Sequence, residues 1–198
     1  MTYQASQADF FGAPTALPDG FHYRPEVISP EQERRLIEQI AVLPLKEFEF
    51  HGFLGKRRTV SYGWRYDFNG GGLQRGDGMP EFLLPVREAA ARFAGLNPAD
   101  LQHALVIEYP PGAQIGWHKD RPVFDEVVGI SLLSPCTFRL RRRDGSKWQR
   151  ASLIAEPRSA YLMQGSARTE WEHSIPAVAE LRYSITFRNF KGESRGRC

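Results

Sequence analysis

The sequence predicts an α+β fold in which two helices precede a two-sheet jelly-roll core and pack on one of its sheets. Two early segments repeat apolar residues with helical spacing. From about residue 103 onward the pattern changes to short alternating runs separated by turn residues. The chain's 198 residues, 41% of them hydrophobic, suit one domain with one sizeable core.

Residues 1–20 read as a loosely structured arm that can pack at its start through Phe10 and Phe11. Ser29-Pro30-Glu31-Gln32 then opens a helix: Ser29 can cap, Pro30 fits the first helical position, and Gln32 completes a capping box. Leu36, Ile37, Ile40 and Leu43 form its apolar stripe, and Pro44 ends it. Residues 46–69 read as extended. Gly70-Gly71-Gly72 and Arg75-Gly76-Asp77-Gly78 read as a flexible loop. A second helix spans about 80–94, with Phe82, Val86, Ala89, Ala90 and Phe93 inward, Pro85 in its first turns and Gly95 closing it. Strands are expected at 103–109, 126–133, 136–142, 147–155, 159–163 and 180–188, with a hairpin turn at Asp144-Gly145. One domain therefore covers 21–190, and 191–198 form a tail.

Composition excludes several classes. No stretch approaches the roughly 20 apolar residues that span a bilayer. The first residues have no basic start and no apolar core, so a cytoplasmic protein, a monomer, is expected. Cys136 and Cys198 make no disulfide framework and no zinc spacing. Cys136 reads as core. The net charge of +3 is modest. Between Arg139 and Arg150, however, five arginines and Lys147 face only Asp144. With Lys56-Arg57-Arg58 this makes two basic clusters, each a solvated face or a phosphate contact.

The chemistry centres on Gly116-Trp117-His118-Lys119-Asp120. On an extended strand, residues two apart point to one side, so His118 and Asp120 can bind one ion together. His173 is the candidate third ligand. Two histidines and one carboxylate leave open positions that suit non-haem Fe(II) oxygen chemistry. The last strand reads Arg182-Tyr183-Ser184-Ile185-Thr186-Phe187-Arg188. Arg182, Ser184, Thr186 and Arg188 share one face, and Tyr183, Ile185 and Phe187 the other. The polar face is either an exposed edge or the lining of a cavity whose two arginines, about 20 Å apart along the strand, clamp a small dicarboxylate.

HxD, a later His and RxSxTxR, in this order over about residues 103–190, resemble the AlkB-type 2-oxoglutarate dioxygenases. The resemblance implies a double-stranded β-helix core. It implies Fe(II) held by His118, Asp120 and His173, with 2-oxoglutarate and O2 as co-substrates. Arg182 would meet the far carboxylate of 2-oxoglutarate and Arg188 the near end, with Tyr109, Ser184 and Thr186 beside it. It implies a nucleotide-lid segment at about 46–80, from the similarity of Arg58-Thr59-Val60-Ser61-Tyr62-Gly63. The implied reaction is oxidative dealkylation of N-alkylated bases in DNA or RNA, releasing succinate, CO2 and formaldehyde. Tyr62, Trp64 and Tyr66 are candidate base stackers or core aromatics. Arg57, Arg58, Arg141 and Arg143 are candidate phosphate contacts. Three positions depart from the family pattern: Ile107 and Ser184 stand where Asn is usual, and Arg121-Pro122-Val123 lacks acidic residues that read the damaged base in some members. The same chemistry on a protein or small molecule is the alternative. A nucleic-acid-binding module without activity and a structural metal protein are more distant ones.

Overall fold

Helix α1 (Pro30–Ala41) begins at a complete capping box: the Ser29 hydroxyl accepts the Gln32 N–H, and the Gln32 side chain accepts the Ser29 N–H. Leu36 and Ile40 are buried on its inner face. Helix α2 (Leu84–Ala94) is entered through one 3-10 turn at Glu81–Leu83, so the helix expected from residue 80 starts with a tighter turn. Pro85 lies at its first positions, where no helical hydrogen bond is lost. Gly95 ends it at φ 70°, in the left-handed conformation glycine adopts freely. A short α3 spans Gly165–Thr169. The computed structural model describes residues 16–50, 53–67 and 72–192, without the side chains of 48–50, 53–54, 65–67 and 72–75. The expected packing of Phe10 and Phe11, and Cys198, lie outside the described residues.

Among the described residues there are twelve strands: β1 (Phe21–Arg24), β2 (Lys46–Phe50), β3 (Phe53–Asp67), β4 (Gly72–Arg75), β5 (His103–Tyr109), β6 (Ile115–His118), β7 (Phe124–Leu132), β8 (Cys136–Asp144), β9 (Lys147–Ala155), β10 (Ala160–Met163), β11 (Glu172–Ile175) and β12 (Arg182–Phe190). The larger sheet runs β1-β10-β7-β12-β5-β3-β2, with β4 paired to β3; the smaller runs β6-β11-β8-β9. All pairings are antiparallel. This is the expected jelly roll, with more strands than the sequence suggested. β1, β6 and β11 have four residues each, too few for alternation to register. Gly72, expected in a loop, opens β4, which pairs with Trp64–Asp67. The strand expected over 126–133 stops at Leu132 because Leu133 adopts φ 72°.

Two cores follow from the layering. Leu36 and Ile40 of α1 and Val86 and Ala90 of α2 pack with Val106, Ile130, Ile185 and Phe187 of the larger sheet. Ile107, Tyr109 and Val127 from the opposite face of that sheet pack with Phe138, Leu140 and Leu153 of the smaller one. Each fully buried aliphatic or aromatic side chain stabilises the fold by about 1.5–3 kcal/mol relative to exposure. Glu33 joins helix to sheet: its carboxylate accepts the Leu133 N–H at 2.8 Å and an Arg158 N–H at 3.1 Å. Cys136 is a buried free thiol in the inter-sheet core. Strand β12 lies between β5 and β7, so its polar face is covered by the smaller sheet rather than exposed at an edge.

Candidate metal and co-substrate site

Strands β6 and β11 pair with His118 directly opposite His173. Opposed residues share a face, and the two imidazole centroids lie 4.2 Å apart. Phe138 stacks on His173 from the inter-sheet core at 5.4 Å. Strand β6 ends at His118, so Asp120 lies in the following turn and not, as its spacing suggested, on the strand. Its carboxylate nevertheless returns to the pair: Oδ2 is 3.6 Å from His173 Nε2. The turn is held from behind. Arg168 is buried and donates to the carbonyls of Arg121 at 2.5 Å and Phe124 at 2.9 Å. Among the described residues no three His, Cys, Asp or Glu side chains close as tightly as a filled metal site requires. The three groups are adjacent, with Asp120 Oδ1 turned to Arg188.

The donor set is in the chemical form a metal needs. Burial pushes His173 down to about 3, more than the Asp120 carboxylate can offset, so the ring is neutral at pH 7. Burial alone would raise Asp120, but Arg188, His173 and His118 together hold it well below the usual carboxylate range. His118 Nδ1 is 2.9 Å from the Gly116 carbonyl oxygen. A carbonyl only accepts, so Nδ1 carries the proton and the Nε2 lone pair is free. A carboxylate and two imidazoles are donor types that suit Fe(II).

Arg182 has 1% exposure. One amino group donates to Ser131 Oγ at 2.8 Å, and the guanidinium carbon lies 4.7 Å from the Tyr109 ring centroid. Nε and the other amino group, Nη1, meet no acceptor among the described residues. A buried charged donor left without a partner is costly, and a carboxylate is the group that matches its fork. Burial pushes the Tyr109 phenol up, with Arg182 and then Ser184 acting against it. Thr186 is buried opposite Gly129, and the Tyr161 ring lies over that glycine. Burial, reinforced by Tyr109 and Asp120, pushes the Tyr161 phenol well above its ordinary range.

Arg188 departs from expectation. It was expected at the near end of the dicarboxylate, but its Nε and Nη2 both donate to Asp120 Oδ1, at 2.9 and 2.7 Å. Its third nitrogen is 3.4 Å from Nδ1 of buried His103. Burial and Arg188 push His103 down to about 3, which keeps that ring neutral. Sequence reasoning assigned no role to His103, Ser131, Tyr161 or Arg168. Of these only His103 carried a signal, as a histidine directly before an apolar strand.

The substrate candidates divide by sheet face. Arg57 is half-buried, and burial lowers its guanidinium; it lies near Tyr109, which faces the inter-sheet space. Arg58 does not: it makes a two-bond ion pair with Glu108, at 2.7 and 2.8 Å, and stands with Glu108 beside Tyr183 of the helix-side core. Tyr62 packs on that same helix-side core. Neither can meet a base lying between the sheets. Trp64 is exposed, and the Tyr66 side chain lies outside the described residues. Arg141 and Arg143 also miss the cavity. They alternate with the inward-facing Leu140 of β8 and stack on Trp117 and Trp148 on the outer face of the smaller sheet. Glu172 points outward too, to Arg141 at 2.6 Å.

A jelly roll with two histidines, a carboxylate and an unpaired buried arginine between its sheets defines the mononuclear non-haem oxygenases as a class. The chain belongs to the 2OG-Fe(II) oxygenase superfamily, whose family model matches residues 20–188. As a member of that superfamily it is an oxygenase of the Fe(II)- and 2-oxoglutarate-dependent kind. Its relatives are of the AlkB type. It is 30% identical over 62% of its length to the alkylated DNA repair protein ALKBH8 homolog of Arabidopsis thaliana, covering 42% of that protein. It is 28% identical over 80% of its length to the mouse mitochondrial alpha-ketoglutarate-dependent dioxygenase alkB homolog 7, covering 68% of it. The structure of OsALKBH1 superposes with a TM-score of 0.61 over 88% of this chain and 98% of that one, at 18% identity. The chain spans less than half the length of the first curated relatives it matches.

Proposed function

We propose that this chain removes alkyl groups from N-alkylated bases of DNA or RNA, with iron held by His118, Asp120 and His173 and 2-oxoglutarate held by Arg182. The observation that carries the co-substrate assignment is the buried Arg182 guanidinium, two of whose nitrogens meet no acceptor among the described residues, between the sheets that hold the His/Asp set. Bound Fe(II) with 2-oxoglutarate and O2 supplies the oxidation that hydroxylates an unactivated C–H bond, giving succinate and CO2.

The protein's residues orient and shield this chemistry. The Gly116 carbonyl holds His118 in the tautomer that leaves Nε2 free. Arg188 fixes Asp120 through one oxygen and leaves Oδ2 beside His173. Ser184 and Tyr109 form the polar wall next to Arg182, while Phe138 and Tyr161 exclude water. A hydroxymethyl group on a base nitrogen then breaks its C–N bond, returning the proton to nitrogen and releasing formaldehyde. A base must leave its stack to reach so buried a centre. Arg57, on the side of β3 near Tyr109, is the candidate to hold a neighbouring phosphate. The nucleic-acid reading draws on relatives named for alkylated-DNA repair and as a probable RNA/DNA demethylase.

The test is anaerobic loading with Fe(II), then oxygen, 2-oxoglutarate and oligonucleotides carrying 1-methyladenine or 3-methylcytosine. Formaldehyde and restored base are expected, and His118→Ala should abolish both. Succinate without restored base would replace nucleic acid by a protein or small-molecule substrate. No succinate with any substrate would overturn the site assignment.

A further inference from the structure

The outer face of the smaller sheet is a built surface that the site between the sheets does not use. Its side chains are set by register. Arg139, Arg141 and Arg143 alternate along β8, opposite Ser152, Arg150 and Trp148 of β9, while Ser174 and Glu172 of β11 stand beside Arg139 and Arg141. Trp117 of β6 completes the row. Arg139 lies 5.0 Å from the Trp117 ring centroid and Arg141 4.4 Å. Arg141 is also 4.4 Å from the Trp148 ring centroid, with Arg143 at 5.1 Å. Three guanidinium groups and two indoles thus alternate in one continuous stack across the sheet.

Charge and geometry both select the partner. The face carries Arg139, Arg141, Arg143 and Arg150 against Glu172 alone, a net +3, which equals the formal charge of the whole chain. Glu172 is committed to Arg141. Arg143 and Arg150 are exposed and make no ion pair among the described residues. Arg139 and Arg141 turn Nε to Ser174 and Glu172, while Arg143, beside the Trp148 ring, keeps an exposed guanidinium, the group that binds phosphate oxygens in pairs. Neighbouring arginines on β8 stand about 6.6 Å apart along the strand, so several phosphates of one flexible strand can be met together. Strand β6 is one of the two edge strands of this sheet, and its consecutive residues Trp117 and His118 serve the outer stack and the inner site. A strand lying on the stack therefore runs beside the cavity.

We propose that this Arg–Trp stack is a docking surface for single-stranded nucleic acid, which holds the strand outside the cavity while the target base enters it. The proposal rests on the nucleic-acid reading of the substrate. It is tested by fluorescence anisotropy of a short unmodified single-stranded oligonucleotide on the full chain, titrated with salt. Arg143→Gln/Arg150→Gln should bind roughly tenfold more weakly at about 0.1 M salt, and the slope of log affinity against log salt should fall by about 1.4, or about 0.7 per lost phosphate contact. Arg143→Glu/Arg150→Glu should bind more weakly still, with the melting temperature of both variants within 2–4 °C (about 1 kcal/mol) of the parent. His118→Ala should bind like the parent. Absence of binding by the parent, an unchanged slope in the Gln variant, or equal competition by polyglutamate at matched charge would each overturn the docking surface. Binding without base repair would overturn the dealkylation reading alone, and repair with unchanged Arg-variant binding the docking surface alone.

Discussion

Replacing Arg182 by Met separates binding from folding. Arg182 has 1% exposure, and two of its donor nitrogens have no partner among the described residues. Each hydrogen bond from a charged group contributes about 1.5–3 kcal/mol. Two such bonds to a carboxylate therefore account for about 3–6 kcal/mol, or two to four powers of ten in affinity for 2-oxoglutarate. The ligand-free protein should behave differently. Methionine fills similar space and removes a buried charge that lacks a counter-ion, which is neutral or stabilising in comparable sites. Against this stand the lost contact with Tyr109, about 0.5–2 kcal/mol, and the lost hydrogen bond to Ser131, about 1 kcal/mol net because the Ser131 hydroxyl keeps the Ala155 carbonyl. Gain and losses nearly cancel, so unfolding stability should change by less than about 2 kcal/mol. Arg182→Lys keeps a charge but not the planar fork, and should fall between Met and Arg in affinity. The assay is calorimetric titration of 2-oxoglutarate into protein loaded with Mn(II), beside urea unfolding of the metal-free protein. Binding by Arg182→Met within threefold of the parent would refute the assignment. So would a loss of stability above about 3 kcal/mol, because the guanidinium would then be a structural group.

Other outcomes follow from the same geometry. Gly129→Ala places a methyl carbon 2.1 Å from Tyr161 Cζ, so the ring must move; unfolding stability should fall by about 1–3 kcal/mol, and Gly129→Ala/Tyr161→Leu should lose less than the sum of the single changes. His103 and His173 have folded values of about 3, below the ordinary 6.5. Between those values the unfolded chain binds protons that the native one does not, so metal-free stability should fall as pH drops from about 6.5 towards 3, by up to about 1.4 kcal/mol per pH unit for each histidine. Urea unfolding at stepped pH should show His103→Gln losing one histidine's share of that slope. Arg168→Met removes the brace on the turn after Asp120 and should weaken Mn(II) binding about tenfold, read by the metal's electron paramagnetic resonance.

Much of this was legible in the chain. The capping box of α1, Gly95 after α2 and the alternation of β12 are local, and each appeared where its residue pattern placed it. The HxD, later His and RxSxTxR order was enough to indicate the family, and the comparisons bear that out. Illegible were the four-residue strands β1, β4 and β11, where no period can be counted, and the turn carrying Asp120, where strand spacing gave the right partner for the wrong local conformation.

Sequence by itself determined which residues share a face, because alternation along a strand is a property of the backbone. It also placed the candidate donors in order and identified the fold class. Only the tertiary structure decided which face looks where. Register placed Arg58 and Tyr62 with the helix-side core, sent Arg141 and Arg143 to the outer surface, and set His118 against His173. It also decided that Arg188 holds Asp120 while Arg182 keeps two donors unpaired. The reason is physical: a period of two fixes direction only relative to neighbours in the strand. The layer that covers each face, and the partner each buried charge finds, are set by contacts between residues far apart in the chain.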